Sequence, residues 1–254
     1  MVRALQNNGK ILGVIGGMGP LATHLYYRLL IEYTDAHSDQ EHIDMILLNH
    51  ASVPDRTKMI VEGKTEELLN ILAKDAKMLE ANGASVIAIP CNTSHVLINQ
   101  LQEQVNIPII NMVKETVRTI TEKFDTTDLK IAIWATDGTI QTGIYQDELK
   151  KAGITPVVPS EKMQALVMKI IYDGIKNCGE IDFADFQKIQ EELVEADCQG
   201  VILACTELSC LKEVYDLPDY YIDTMEVLVK ESIIACDKNV RDKEKYEYHI
   251  SSFD

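Results

Sequence analysis

Two cysteines in this sequence close matching apolar runs. Val86-Ile-Ala-Ile-Pro-Cys91 leads into Asn92-Thr-Ser-His95, and far downstream Gly200-Val-Ile-Leu-Ala-Cys205 leads into Thr206-Glu-Leu-Ser209. One activated thiol can serve as a nucleophile, and two can serve as an acid/base couple. Short runs of β-formers without an internal polar residue read as strands buried on both faces, as in a parallel sheet covered by helices. Chemistry in such sheets gathers at the carboxyl ends of the strands, where both cysteines fall. Asn-Thr-Ser and Thr-Glu are residues that cap a following helix, which predicts that each cysteine lies at a helix amino end with a lowered thiol pKa.

The elements that must position these thiols form a repeated series. Lys10–Ile15 predicts a first strand, Gly16-Gly-Met-Gly-Pro20 a turn, and residues from about Leu21 to Tyr33 a helix that accepts Pro20 in its first turn. Gly17-x-Gly19-x-x-Ala22 has the Rossmann spacing, but the second strand, Asp44–Leu48, ends in Asn49-His50 where a dinucleotide site needs an acidic residue. The turn is then either an anion cradle of backbone N–H groups or only a tight turn. Thr65–Asn82 reads as an amphipathic helix with Leu68, Leu69, Leu72, Ala76 and Leu79 on one side, and Ile107–Val113 as a fourth strand. The programme restarts at Lys130–Thr136, with Asp137-Gly-Thr-Ile140 echoing the glycine turn, Ile154–Pro159 the second strand, a helix over Phe183–Ala196, and Leu217–Ile222 the fourth strand. Lys10 to Lys130 is 120 positions and Cys91 to Cys205 is 114, the nearly constant offset of an internal duplication.

The expected fold is therefore α/β: two similar domains, each a four-stranded parallel sheet flanked by helices. One comprises residues 1–113 plus 224–254 and the other residues 114–223. The last helix, about Met225 to Lys238, has no partner strand and is expected to pack on the first half. Arg241–Tyr248 is a mixed-charge tail expected to fray.

Composition narrows the function. The 254 residues, 46% hydrophobic and 25% charged, are those of an ordinary globular protein. A net charge of -16 repels nucleic acid and anionic membranes, so an acidic small substrate needs local positive charge. No run of 18 apolar residues occurs and Met1–Lys10 lacks the apolar core of a signal peptide, which predicts a cytoplasmic protein with six reduced cysteines. Cys178, Cys198, Cys210 and Cys236 read as small hydrophobes without function. Cys91-x-x-x-His95 and Cys205-x-x-x-x-Cys210 lack the second close ligand couple of zinc sites, so no metal is expected. His95 and His24 are expected to pack or to hydrogen-bond a loop. Arg56, after Pro54-Asp55, could hold a carboxylate with its planar fork or be a surface arginine paired with Asp55.

Gly16-Gly-Met-Gly-Pro-Leu-Ala22, Pro54-Asp-Arg-Thr57, Pro90-Cys-Asn-Thr-Ser-His95, Ala135-Thr-x-Gly-Thr139 and Ala204-Cys-Thr-Glu-Leu208 together resemble the aspartate/glutamate racemase family, over about Lys10 to Lys238. The resemblance implies a cofactor-independent racemase, a homodimer, acting on a small dicarboxylic amino acid. Aspartate is the first expectation, with glutamate or a broader range as the alternative. It implies that Cys91 and Cys205 are the acid/base pair, that Arg56 binds one substrate carboxylate and Lys176 the other, and that Asn92, Thr93, Thr136 and Thr206 form the polar lining. Met18 and Gly19 of the glycine turn complete the candidate substrate-binding set. Trp134 and Asp137 depart from the family pattern.

Racemisation removes a proton from one face of the α-carbon and returns one to the other, so it needs two groups with opposite protonation states. The thiols would form a coupled pair that exchanges states each turnover. Fixed dipoles and the polar lining would have to stabilise the carbanion. A cysteine hydrolase or a decarboxylase would need only one thiol, and a two-lobed ligand-binding protein would need none.

Overall fold

The computed structural model describes residues 9–213 and 215–241. The expectations for the first eight residues and for the tail beyond Arg241 lie outside the described residues. In chain order the elements are β1 (Leu12–Gly16), α1 (Pro20–Tyr33), β2 (Met45–Asn49), α2 (Arg56–Val61), α3 (Thr65–Ala81), β3 (Val86–Ala88), α4 (Ile98–Gln102), α5 (Met112–Lys123), β4 (Lys130–Ala135), α6 (Asp137–Thr142), α7 (Ile144–Lys151), β5 (Thr155–Val157), α8 (Glu161–Lys169), α9 (Phe183–Glu195), β6 (Gly200–Ala204), β7 (Tyr221–Asp223) and α10 (Thr224–Ala235). Between α8 and α9 the chain continues as a π-helical segment, Ile170–Lys176.

Two parallel sheets result, ordered β2-β1-β3 and β5-β4-β6-β7. In the first, Leu12 pairs with Met45 on one side and Val86 on the other; in the second, Ile131 pairs with Gly200. Alternate residues serve opposite faces, as the twofold strand period requires. Leu12 and Val14 meet Leu25, Tyr26, Leu228 and Ile233 of α1 and α10, while Ile15 meets Leu68, Leu72 and Leu79 of α3. In the second sheet Ala132 and Trp134 pack with Val167 and Phe186, and Ile131 and Ile133 with Val117, Ile120, Tyr145 and Leu149. Trp134 is thus a core residue, edge-on to Phe186 at 5.5 Å and to Tyr221 at 5.6 Å.

The fourth strand of the first sheet is a single bridge between Ile87 and Ile109. Ile87 donates to the Pro108 carbonyl and Ile110 to the Ile87 carbonyl, both at 2.9 Å. Pro108 has no N–H to extend a ladder, and the Asn111 side chain then accepts from Lys114 N and starts α5, so Val113 is helical. The strand ending at β7 is likewise stopped by a cap, Asp223 accepting from Met225 N at 2.9 Å. The division expected at 113/114 falls inside α5, whose side chains reach the second sheet. The division at 223/224 falls between β7 and α10. α10 lies on α1, where Tyr26 OH donates to Ser232 Oγ at 2.6 Å.

The glycine turn after β1 is a tight turn. Gly17 has φ of 88°, and a Cβ there would come within 2.5 Å of the His50 backbone. Its N–H is taken by Thr23 Oγ1 at 2.8 Å, so that donor is not free to cradle an anion. The halves meet closely where α2 passes α6. A Cβ on Gly138 would lie 3.0 Å from Thr57 Cα, a separation that only glycine allows without a shift.

Candidate active site

The carboxyl ends of β1, β3, β4 and β6 open onto one cleft of about 250 Å³, lined by Met18, Asp55, Arg56, Thr57, Cys91, Asn92, Thr93, Thr136, Tyr172, Lys176, Cys205, Thr206 and Glu207. Cys91 and Cys205 are each 5% exposed. Nine of the ten residues singled out from the sequence line this cleft. Gly19 stands behind it, where a Cβ would lie 3.3 Å from Glu207 Oε1.

The local structure around the cysteines differs from expectation. Each is followed by a 3₁₀ turn, Thr93–Leu97 and Leu208–Glu213, and not directly by an α-helix. The Asn92 side chain makes no cap: it donates to Thr224 Oγ1 at 3.0 Å and accepts from Tyr145 OH. Thr206 Oγ1 reaches the Pro90 carbonyl at 3.3 Å and Glu207 Oε2 at 3.4 Å. These polar side chains are struts across the halves, and Thr93, Thr136 and Thr139 add a closed triangle of hydroxyls at 3.0, 3.0 and 3.2 Å. Such buried groups must find partners, and here each half supplies those of the other.

The expectation of a lowered thiol pKa is overturned at Cys205. Burial pushes this thiol well above its ordinary value, and the Glu207 carboxylate pushes it further, with Lys176 opposing. Cys205 Sγ donates to Glu207 Oε2 at 3.0 Å. The Glu207 backbone N–H favours the thiolate but does not offset its desolvation.

Arg56 is 7% exposed at the start of α2, which excludes the surface alternative. Nη1 donates to the Val53 and Pro54 carbonyls, both at 3.2 Å, and Nη2 to the Met18 carbonyl at 2.8 Å, while buried Nε has no partner. Burial disfavours its charge, but Cys91, Asp55 and Glu207 more than compensate, so its pKa is raised. Asp55 is engaged elsewhere, accepting from Lys58 N at 2.9 Å and from Tyr172 OH at 3.0 Å.

Lys176 Nζ stands 3.3 Å from Glu207 Oε1 and 4.9 Å from the centre of the Tyr172 ring. Burial opposes its charge, and Glu207 and Cys205 restore it. Tyr172 and Lys176 come to the cleft on one face of the π-helical segment, a local widening that recurs at functional sites. Asp55, Thr57, Tyr172 and Glu207 were not among the residues singled out from the sequence. Glu207 is the lone charge in Ala204-Cys-Thr-Glu-Leu208 and Tyr172 stands four residues before Lys176, which are the signals that could have found them.

His95 does hydrogen-bond loops, with Nδ1 2.9 Å from the Cys91 carbonyl and Nε2 3.4 Å from that of Ile110. Both ring nitrogens face carbonyl oxygens, so neither is placed to ligate a metal. Among the described residues no group of three His, Cys, Asp or Glu side chains is arranged to hold one.

The arrangement of paired thiols, two cations and a polar lining in a buried cleft suits proton transfer at a carbon flanked by carboxylates. The chain resembles known proteins over nearly its whole length. It superposes on the aspartate racemase of Picrophilus torridus with a TM-score of 0.79 and 28% identity, covering 92% of this chain and 97% of that one. It is 27% identical over 230 residues to the broad specificity amino-acid racemase RacX of Bacillus subtilis (strain 168), covering 88% of this chain and 96% of that protein. It is 26% identical over 150 residues to a glutamate racemase of Persephonella marina, covering 59% of this chain and 56% of that protein. The Asp/Glu/hydantoin racemase family model matches residues 15–232. The chain therefore belongs to the Asp/Glu/hydantoin racemase family and is an amino-acid racemase.

Proposed function

We propose that this racemase interconverts L- and D-aspartate without a cofactor, with Cys91 and Cys205 as its acid/base couple. The observation that carries the reading is that two equally buried cysteines, from corresponding strand ends of a duplicated fold, line one cleft together with Arg56 and Lys176. Three of the five N–H donors of Arg56 are spent on carbonyls, leaving Nε–H and one Nη2 proton as a side-on fork for a carboxylate. Lys176 receives the second carboxylate by turning from Glu207. One thiolate takes the α-proton, and the opposite thiol returns a proton to the other face. The carbanion between them is stabilised by the two cations, in a cleft that excludes water.

A broader substrate range is the second reading, supported by the likeness to RacX. One methylene changes discrimination by only about 1 to 3 kcal/mol, so glutamate is the nearest competitor. The proposed setting is a cytoplasmic homodimer. No described helix is long and apolar enough to cross a membrane, and exposed Leu21, Tyr27 and Ile31 give α1 an apolar surface for a second copy.

Incubation with L-aspartate and no additive, followed by chiral chromatography, should approach equal amounts of both enantiomers. Activity that appears only on addition of pyridoxal phosphate would contradict the proposal. Faster conversion of another amino acid would favour the second reading.

A further inference from the structure

We propose that Glu207 is a positioning residue that fixes where the shared proton of the thiol pair rests: it holds Cys205 as the thiol, so that Cys91 opens the turnover as base. The proposal rests on the two-thiol reading above and adds an order to it.

The geometry is one-sided. Cys205 Sγ–H donates to Glu207 Oε2 at 3.0 Å, and a carboxylate can only accept this bond, so the pair is made by a protonated sulfur. Glu207 is 3% exposed, and its Oε1 has no hydrogen-bond partner beyond the Lys176 ion pair at 3.3 Å. The charged or titratable groups around Cys205 are Glu207 on its own loop, Lys176 from the π-helical segment and Tyr145 from α7. Burial and the Glu207 carboxylate both push against the thiolate, and Lys176 and the Glu207 backbone N–H favour it by less. Cys91 has the opposite company. Arg56 lies within electrostatic reach, and among the described residues no carboxylate is hydrogen-bonded to Cys91.

The proton account closes. The Cys91 thiolate takes the α-proton: an S–H bond forms, the C–H bond breaks, and its electron pair stays on the α-carbon. The Cys205 S–H bond then breaks as a C–H bond forms on the opposite face, leaving a thiolate beside the Glu207 carboxylate. Two adjacent anions in a buried cleft are disfavoured, so the pair resets by giving the Cys91 proton to water and taking one from water at Cys205. The isomer whose α-hydrogen faces Cys91 thus meets a ready enzyme.

Alkylation by iodoacetamide, followed at each cysteine by peptide mass across a pH series, reads the thiolate fraction directly. In the wild-type protein near about pH 7.5, Cys91 should react at least about tenfold faster than Cys205, although both are 5% exposed. Glu207→Gln should lower the pH midpoint at Cys205 by about 1 unit or more. Faster reaction at Cys205 in the wild type, or an unmoved midpoint in a folded Glu207→Gln protein, would overturn the proposal. The wild-type order decides alone if the variant does not fold. Failure of the two-thiol reading is distinct: it would show as racemisation by Cys205→Ala, whatever the alkylation order.

Discussion

Cys91 and Cys205 hold corresponding places in a duplicated fold and are equally buried, but their surroundings differ. β6 runs to Ala204, directly before its cysteine, whereas β3 stops at Ala88 and Pro90 precedes Cys91. Arg56 faces the first thiol, held by the carbonyls of Val53, Pro54 and Met18. Glu207 and Lys176 face the second as an ion pair, and Glu207 accepts a hydrogen bond from the thiol. On the proposed reading, duplication supplies two reaching groups, and divergence of their neighbours makes one an acid and the other a base. Two thiols in identical surroundings would share one proton without preference, and either isomer would meet the same enzyme.

Apart from loss of a thiol itself, the largest expected effect falls on the Cys91 side. Arg56→Lys keeps the charge but loses both the fork and the contacts to three carbonyls, and kcat/KM should fall about 10²-fold, or about 2.7 kcal/mol, in steady-state assays. Near wild-type kinetics would remove Arg56 from the substrate and leave the comparison without its first half.

A smaller effect tests the struts that hold the two environments in register. Tyr145→Phe removes the donor to Asn92 Oδ1 and leaves a buried acceptor with one partner fewer, which should lower stability by about 1 to 3 kcal/mol in urea unfolding. A change below about 0.5 kcal/mol would mean that this contact does not stitch the halves.

The smallest effect concerns alkaline pH. Because the folded thiol of Cys205 titrates above the unfolded one, its contribution to stability is complete below the unfolded thiol pKa of about 8.5 and is lost as pH rises through the folded value. Buried Cys236, pushed up to about 11 chiefly by desolvation, acts in the same direction. The urea midpoint should therefore drop between about pH 8.5 and 11, less steeply in Cys205→Ala. An equal drop in that variant would deny Cys205 its elevated value.

Much of this was legible in the sequence because strands buried on both faces and their terminal cysteines are local patterns. β1, β3, β4 and β6 and the two thiols at strand ends follow from short motifs, whereas the burial of Arg56 against the Met18 carbonyl does not, since Asp55 beside it offered an equally local partner. The truncated fourth strand was hidden because Pro108 and Asn111 act together with the start of α5. The cap expectation failed for a different reason: Asn92 and Thr206 find better partners in Tyr145 and Pro90 across the halves and in Thr224 of α10 than in their own turns. Glu207 looked like one more capping residue. Its role depends on Lys176, thirty-one positions earlier, and on the desolvation of a closed cleft, neither of which a linear motif encodes.

The central claim, that two thiols work on opposite faces of one α-carbon, is tested most directly with Cys91→Ala in heavy water. If Cys205 is the thiol on the α-hydrogen face of the L-isomer, L-aspartate should acquire α-deuterium with its configuration retained, followed by proton NMR and chiral analysis of one sample. The exchange should quicken with pH, since Cys205 must first lose its proton beside Glu207. Net racemisation should fall by at least about 10³-fold. Racemisation near the wild-type rate in this variant would contradict the account.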